Sequence, residues 1–411
     1  MEKRVVITGT GIVSPLGDTI ADLHGALCEG RSALDTIERF DPAPMTDRTA
    51  GEVKGFKPAT YLGKRNFRPL DRASQLAASA VQLALEDCGE SEELREQHDV
   101  GLVVGTMFCS VHTIAEFDRR GVTSGPAYVK PLDFANTVIN AAAGQTAIWH
   151  NLRGVNSTIA TGGSSSLNAL AYGADMIRSG RSQAIVAGGV EELCFESMFG
   201  YYRAGRLAGC TDGHSSVPRP VPFDAGRNGF ALSEGAAFLM LEEAEFAKNR
   251  GATVLAEVIG HGKAYDYSRG KEDQPAIDAL CLAIGSALRE ADIKSADVDC
   301  ISSAANGSIT GDRNEAAALL SAMGPEVQDV PVTAIKSLLG DTLGAAGALQ
   351  VAALIESMAK GRLPGIPDLR ETDTQFPLTI ADANSPMNKA GCGLITARST
   401  DGNTCALLLR R

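Results

Sequence analysis

Short apolar runs alternate with longer stretches of helical period along most of this chain. DVGLVVGTMF (99–108) follows a small-residue helical stretch, AASAVQLALEDCG (77–89), through a polar loop, and DVDCISSAANGS (297–308) follows DALCLAIGSALREADI (278–293) through KSA. Each unit reads as helix, acidic-polar turn, Asp-Val, then strand. A second pair echoes the first. VNSTIATGG enters the helix SLNALAYGADMIRSG, and VPVTAIKSLLGD (330–341) enters TLGAAGALQVAALIESMAKG. In both, a β-branched strand meets a Gly-containing turn and a helix that closes on a basic residue and glycine. Leu167, Leu170, Ala171, Ala174 and Ile177 recur at helical spacing, whereas the later helix is apolar nearly all round, as expected between layers. Strands separated by helices predict parallel βαβ units buried on both faces. The repeat predicts two such halves, 1–255 and 256–411, fused into a five-layered αβαβα body.

Composition narrows the function classes. The 411 residues carry a net charge of −12 without a dense Lys/Arg run, which argues against nucleic acid as a partner. Arg203, Arg206 and Arg219 still offer a local basic patch to an acidic carrier protein. The 44 glycines exceed the usual ~7% and predict many tight turns. Nine scattered cysteines form no C-x-x-C pair, so zinc is not expected and reduced thiols in the cytoplasm are. The start MEKRVVITGTGIVSPLG lacks the apolar core of a signal peptide, and no run is long and apolar enough for a membrane span.

The turn between residues 161 and 166, TGGSSS, sits where a strand delivers residues to a helix N-terminus, yet Gly162 and Gly163 have no side chain to present. Ser164, Ser165 and Ser166 follow directly. A serine nucleophile needs a base within hydrogen-bond reach. The simpler expectation is that these hydroxyls satisfy free N–H groups at the helix start.

Several motifs in order resemble the β-ketoacyl synthases: ITGTGIVSPLG (7–17), LDRASQLAASAVQLALEDCG (70–89), IRSGRSQAIVAGGVEE (177–192), RPVPFDAGRNGFALSEGAAFLMLE (219–242) and IKSLLGDTLGAAGALQ (335–350). The resemblance runs from Val5 to the closing NTCALLLRR. It implies the thiolase fold, a dimer, and condensation of acyl chains with malonyl units on acyl carrier protein. In that family a cysteine in a T-A-C-[AS]-[ST]-[GS] turn holds the acyl chain as a thiolate favoured by the helix dipole, and two histidines assist decarboxylation. Counting back from Gly180 puts the cysteine position at Gly163. The H-G-T-x-T histidine falls on Asn306, and the histidine of K-x-x-x-G-H-x-x-G-A-A-G falls on Asp341, while its lysine is retained as Lys336. His261 is the last histidine, so no local realignment supplies the missing pair. The G-F-G-G-T-N loop reads STDGNT (399–404), with its gating phenylalanine near Thr400.

The resemblance therefore implies a subunit like the chain-length factors of type II polyketide synthases, condensation-inactive and paired with an active ketosynthase. Typical chain-length factors carry glutamine where Gly163 stands. By match to the family, Phe108 lies where the acyl pocket is gated, and LDFANTVIN (132–140) crosses toward the partner, making Phe134, Thr137 and Val138 chain-length candidates, with His112 in the same region. No metal or organic cofactor is expected beyond the carrier's phosphopantetheine arm as a transient ligand. The alternative is a malonyl-carrier-protein decarboxylase or atypical acyltransferase acting alone through Ser164 or Asp341; a pure scaffold would instead have a closed pocket.

Overall fold

A computed structural model describes residues 3–46, 48–64, 66–89, 99–209, 220–372, 377–382, 386–387 and 391–411. Eleven of its strands are β1 (Val5–Val13), β4 (Gly101–Gly105), β5 (Asn156–Ile159), β6 (Ala184–Glu191), β7 (Gly235–Glu243), β8 (Ala256–Tyr265), β9 (Cys300–Ser302), β10 (Pro331–Thr333), β11 (Thr379–Ile380), β12 (Cys392–Arg398) and β13 (Asn403–Arg410). A small hairpin of β2 (Leu34–Thr36) and β3 (Thr49–Gly51) stands apart. The longer helices are α1 (Ile20–Cys28), α2 (Arg72–Asp87), α3 (Val111–Ser124), α4 (Ala141–His150), α5 (Ser165–Arg178), α6 (Phe195–Arg203), α7 (Asp273–Ala291), α8 (Ile309–Met323) and α9 (Ala346–Lys360).

Alternation along the strands builds the layers, because successive side chains point to opposite faces. Leu102, Val104, Phe238 and Met240 meet α2 and α4 on one side. Val103, Leu239 and Leu241 turn the other way, toward α5 and α9. The second half repeats the scheme: Ile395, Leu407 and Leu409 join the same central cluster, while Leu394, Ala406 and Leu408 face α7 and α8. The two central helices thus share one core with both halves of the eleven-stranded sheet, giving the expected five layers. Helix α9 is buried on nearly every side, as its sequence predicts.

Strand pairing bears out the parallel βαβ units and adds antiparallel strands to them. Parallel pairing holds for β4 with β5 and β6, for β9 with β10 and β12, and for β10 with β11. The remaining strands, β1, β7, β8 and β13, pair antiparallel. The turn between β12 and β13 spans only 399–402, so these strands form a hairpin, which cannot be parallel. The two halves also meet edge to edge, β1 with β8, through Val5↔Val258, Val6↔Glu257 and Ile7↔Ala256.

Helix boundaries shift for local reasons. Helix α2 starts earlier than its apolar period suggests because the Asp71 carboxylate accepts the Ser74 N–H at 3.0 Å and caps it. In VPVTAIKSLLGD only Pro331–Thr333 is strand; Lys336–Leu339 makes a helical turn that swings Lys336 and Asp341 toward each other.

Candidate functional site

Several chain segments converge on one cavity of about 230 Å3, among them the turn before α5, the loop after β9, the turn after β10 and the β12–β13 hairpin. Its walls include Gly163, Asn306, Lys336, Asp341 and Thr400, so the matched cysteine, histidine, lysine and gate positions come together. The Asp341 carboxylate organises them. Its Oδ2 accepts from Asn306 Nδ2 at 2.8 Å and from Lys336 Nζ at 3.2 Å, and its Oδ1 accepts the Leu343 N–H at 2.9 Å. Lys336 and Asp341 are both buried, so their charges cancel inside the protein rather than in water.

The glycine turn is shaped by the hairpin above it. A Cβ on Gly163 would lie 2.9 Å from the Arg398 carbonyl oxygen. A Cβ on Gly162 would overlap Ser399 Oγ, and Gly162 holds φ +61°, where glycine is preferred. The hairpin is fixed in turn: Ser399 N–H donates to the Asn403 carbonyl and Asp266 N–H to the Gly402 carbonyl, each at 2.8 Å. This turn is a seat for backbone, not a platform for a side chain.

The serines are buried and engaged, but not as caps of their own helix. Ser164 Oγ donates to the Thr161 carbonyl at 2.7 Å, and Ser165 Oγ donates to the carbonyls of Gly162 and Thr106 while accepting the Thr161 N–H. Ser166 Oγ accepts the Ala348 N–H at 3.0 Å, capping the opposite central helix α9. None of the three is among the residues lining the cavity.

Beside the cavity, the buried Glu191 carboxylate accepts N–H groups from Met107, Phe108, Cys109 and Gly344. Burial raises its pKa to about 7, against the pull of those four donors. Phe108 is thereby pinned, its ring edge-on to Tyr201 at 6.3 Å, packed behind the cavity rather than lining it. The other pocket candidates lie outside the cavity. Phe134 is 64% exposed with its ring 6.0 Å from Phe117, Val138 is exposed, and Thr137 Oγ1 donates to the Phe134 carbonyl. His112 sits at the surface, its Nδ1 3.1 Å from Glu196. Arg206 lines the cavity, Arg203 lies over the Phe199 ring, and Arg219 falls outside the described residues.

Motif matching missed Met107, Tyr201 and Phe230 on the apolar wall, and Arg398 and Ser399 at the turn. YYRAG carries no motif, though its paired tyrosines before a basic residue were a visible oddity. Among the described residues, Asp175, His261 and Glu290 stand close enough to share a metal, but Lys263 already pairs with Asp175 and Arg178 with Glu290. Nor is any described helix long and apolar enough to cross a membrane.

The chain belongs to the β-ketoacyl synthase family, matching "Beta-ketoacyl synthase, N-terminal domain" over residues 2–247 and "Beta-ketoacyl synthase, C-terminal domain" over residues 255–370, and it has the thiolase fold. It is 33% identical over 413 residues to 3-oxoacyl-[acyl-carrier-protein] synthase 2 of Coxiella burnetii, covering 100% of this chain and 99% of that one. It is 32% identical over 395 residues to the tetracenomycin polyketide synthase ketoacyl synthase alpha subunit of Streptomyces glaucescens, covering 92% of this chain and 90% of that one. Among solved structures, the ishigamide ketosynthase/chain length factor superposes with a TM-score of 0.92 at 28% identity, over 100% of this chain and 99% of the other.

Proposed function

We propose that this chain is the non-condensing member of a ketosynthase pair, a chain-length-factor-like subunit of a type II polyketide synthase acting on carrier-bound acyl chains. One observation carries the reading: Gly163, Asn306 and Asp341 line the same cavity, and among the described residues no cysteine or histidine lines it. Relatives named as a polyketide ketoacyl synthase subunit and a ketosynthase/chain length factor support it. So do the exposed apolar side chains of Val122, Tyr128, Phe134, Val138 and Ile148, which are open to a partner. On this reading Phe134, Thr137 and Val138 project to the shared tunnel and set product length. The subunit needs no metal or organic cofactor; it meets the phosphopantetheine arm of the carrier only in passing.

The test is to purify the chain alone and with a cysteine-bearing ketosynthase encoded beside it, and to supply malonyl-loaded carrier protein. Extended products are expected only from the pair, with Phe134→Ala changing their length. Condensation or carbon dioxide release by the isolated chain would overturn the reading.

A further inference from the structure

The cavity above Gly163 is lined by donors and acceptors alike, among them Lys336, Tyr201, Asp266 and Asp341. Both oxygens of Asp341 are already engaged, by Asn306, Lys336 and the Leu343 N–H. Lys336, 4% exposed, carries three donor protons, one of which goes to Asp341. Tyr201 adds a hydroxyl to the apolar wall. Its ring is fixed edge-on between Phe108 and Phe230, with centroids at 6.3 and 5.3 Å. Its O–H points at the Met107 sulfur, 3.5 Å away, and a thioether is a weak acceptor. Tyr201 is half-buried on the cavity wall, where an oxygen of a ligand takes the place of water as its partner. Burial, reinforced by the negative charge of Asp341 and Glu191, holds this phenol above its ordinary range, so it remains a donor at physiological pH.

We propose that the cavity is a binding site for a ketone oxygen of an unreduced acyl chain, and that Tyr201 is the residue that reads it. The inference rests on the reading that an acyl chain enters this subunit. A saturated chain offers no acceptor along its length and leaves the hydroxyl with only sulfur. A 3-oxoacyl chain supplies the missing oxygen, and with Gly163 carrying no nucleophile the group is held without reacting.

Calorimetric titration of the full chain with 3-oxooctanoyl-pantetheine amide and with octanoyl-pantetheine amide tests this. One neutral hydrogen bond corresponds to about a three- to tenfold preference for the oxo ligand. Tyr201→Phe brings that ratio to about one. Equal affinities in the native chain, an unchanged ratio in a folded Tyr201→Phe variant, or no binding by the folded native chain each overturn the site. Support of a partner's condensation is measured separately. A chain that supports condensation without any preference for the oxo ligand overturns the carbonyl site and leaves the broader reading standing.

Discussion

The carbonyl oxygen of Arg398 stands 2.9 Å from the place a Cβ would occupy on Gly163. The room a nucleophile needs has been taken by the main chain of the β12–β13 hairpin. Gly163→Ala therefore forces that hairpin outward and should cost about 1–3 kcal/mol, the usual range for overpacking, read by urea denaturation. Gly163→Cys restores a thiol but not the imidazoles, so the isolated variant should yield no condensation product by mass spectrometry.

Gly162 and Ser399 should behave as a coupled pair. Gly162→Ala meets both a positive φ and the Ser399 hydroxyl, whereas Ser399→Gly relieves only the second. A double-mutant cycle should show a favourable coupling of about 1 kcal/mol or more. Strict additivity would mean the hairpin does not rest on this turn.

Ser166 joins the two central helices. Ser166→Ala leaves the Ala348 N–H without its acceptor inside the core, at a cost of about 1–2 kcal/mol. Ser164→Ala and Ser166→Ala should both leave any support of a partner's condensation intact, measured per folded subunit, since neither hydroxyl reaches the cavity.

Removing Asp341 strands the Lys336 charge. Asp341→Ala should destabilise by about 3–5 kcal/mol, while the paired replacement Lys336→Met with Asp341→Leu should cost distinctly less. Thermal and denaturant unfolding of the three variants decide between them.

Stability should fall as the medium becomes more alkaline through neutrality. Burial, with Asp71 adding to it, lifts Glu192 to about 8, and burial lifts Glu191 to about 7. Both lie above the unfolded value near 4.3, so the native state holds more protons between those limits. Each group then lowers stability by up to about 1.4 kcal/mol per pH unit until its folded pKa is passed. Glu192→Gln should flatten that slope between pH 5 and 8, seen in denaturant midpoints at three pH values.

Much of this was legible in the chain itself. Gly163, Asn306, Lys336 and Asp341 were found by counting within motifs, and a cavity does gather them. The layers were foreshadowed by the apolar character of 346–360 and by the short apolar runs between helices. What escaped was long-range and directional. The direction of β7 or β13 is not written in its own periodicity, the acceptor role of Ser166 belongs to another helix, and Tyr201 earns its place only because α6 brings it against Met107. Serines before a helix suggested local capping, but tertiary partners outcompeted that use.

The meeting of β1 and β8 carries an evolutionary corollary. Because the halves share both a sheet edge and a common helical interior, neither can be shed once its share of the chemistry is obsolete: a lone half would bare raw strand and greasy helix to water. The pair therefore persists or is lost as one unit, whatever chemistry the cavity performs.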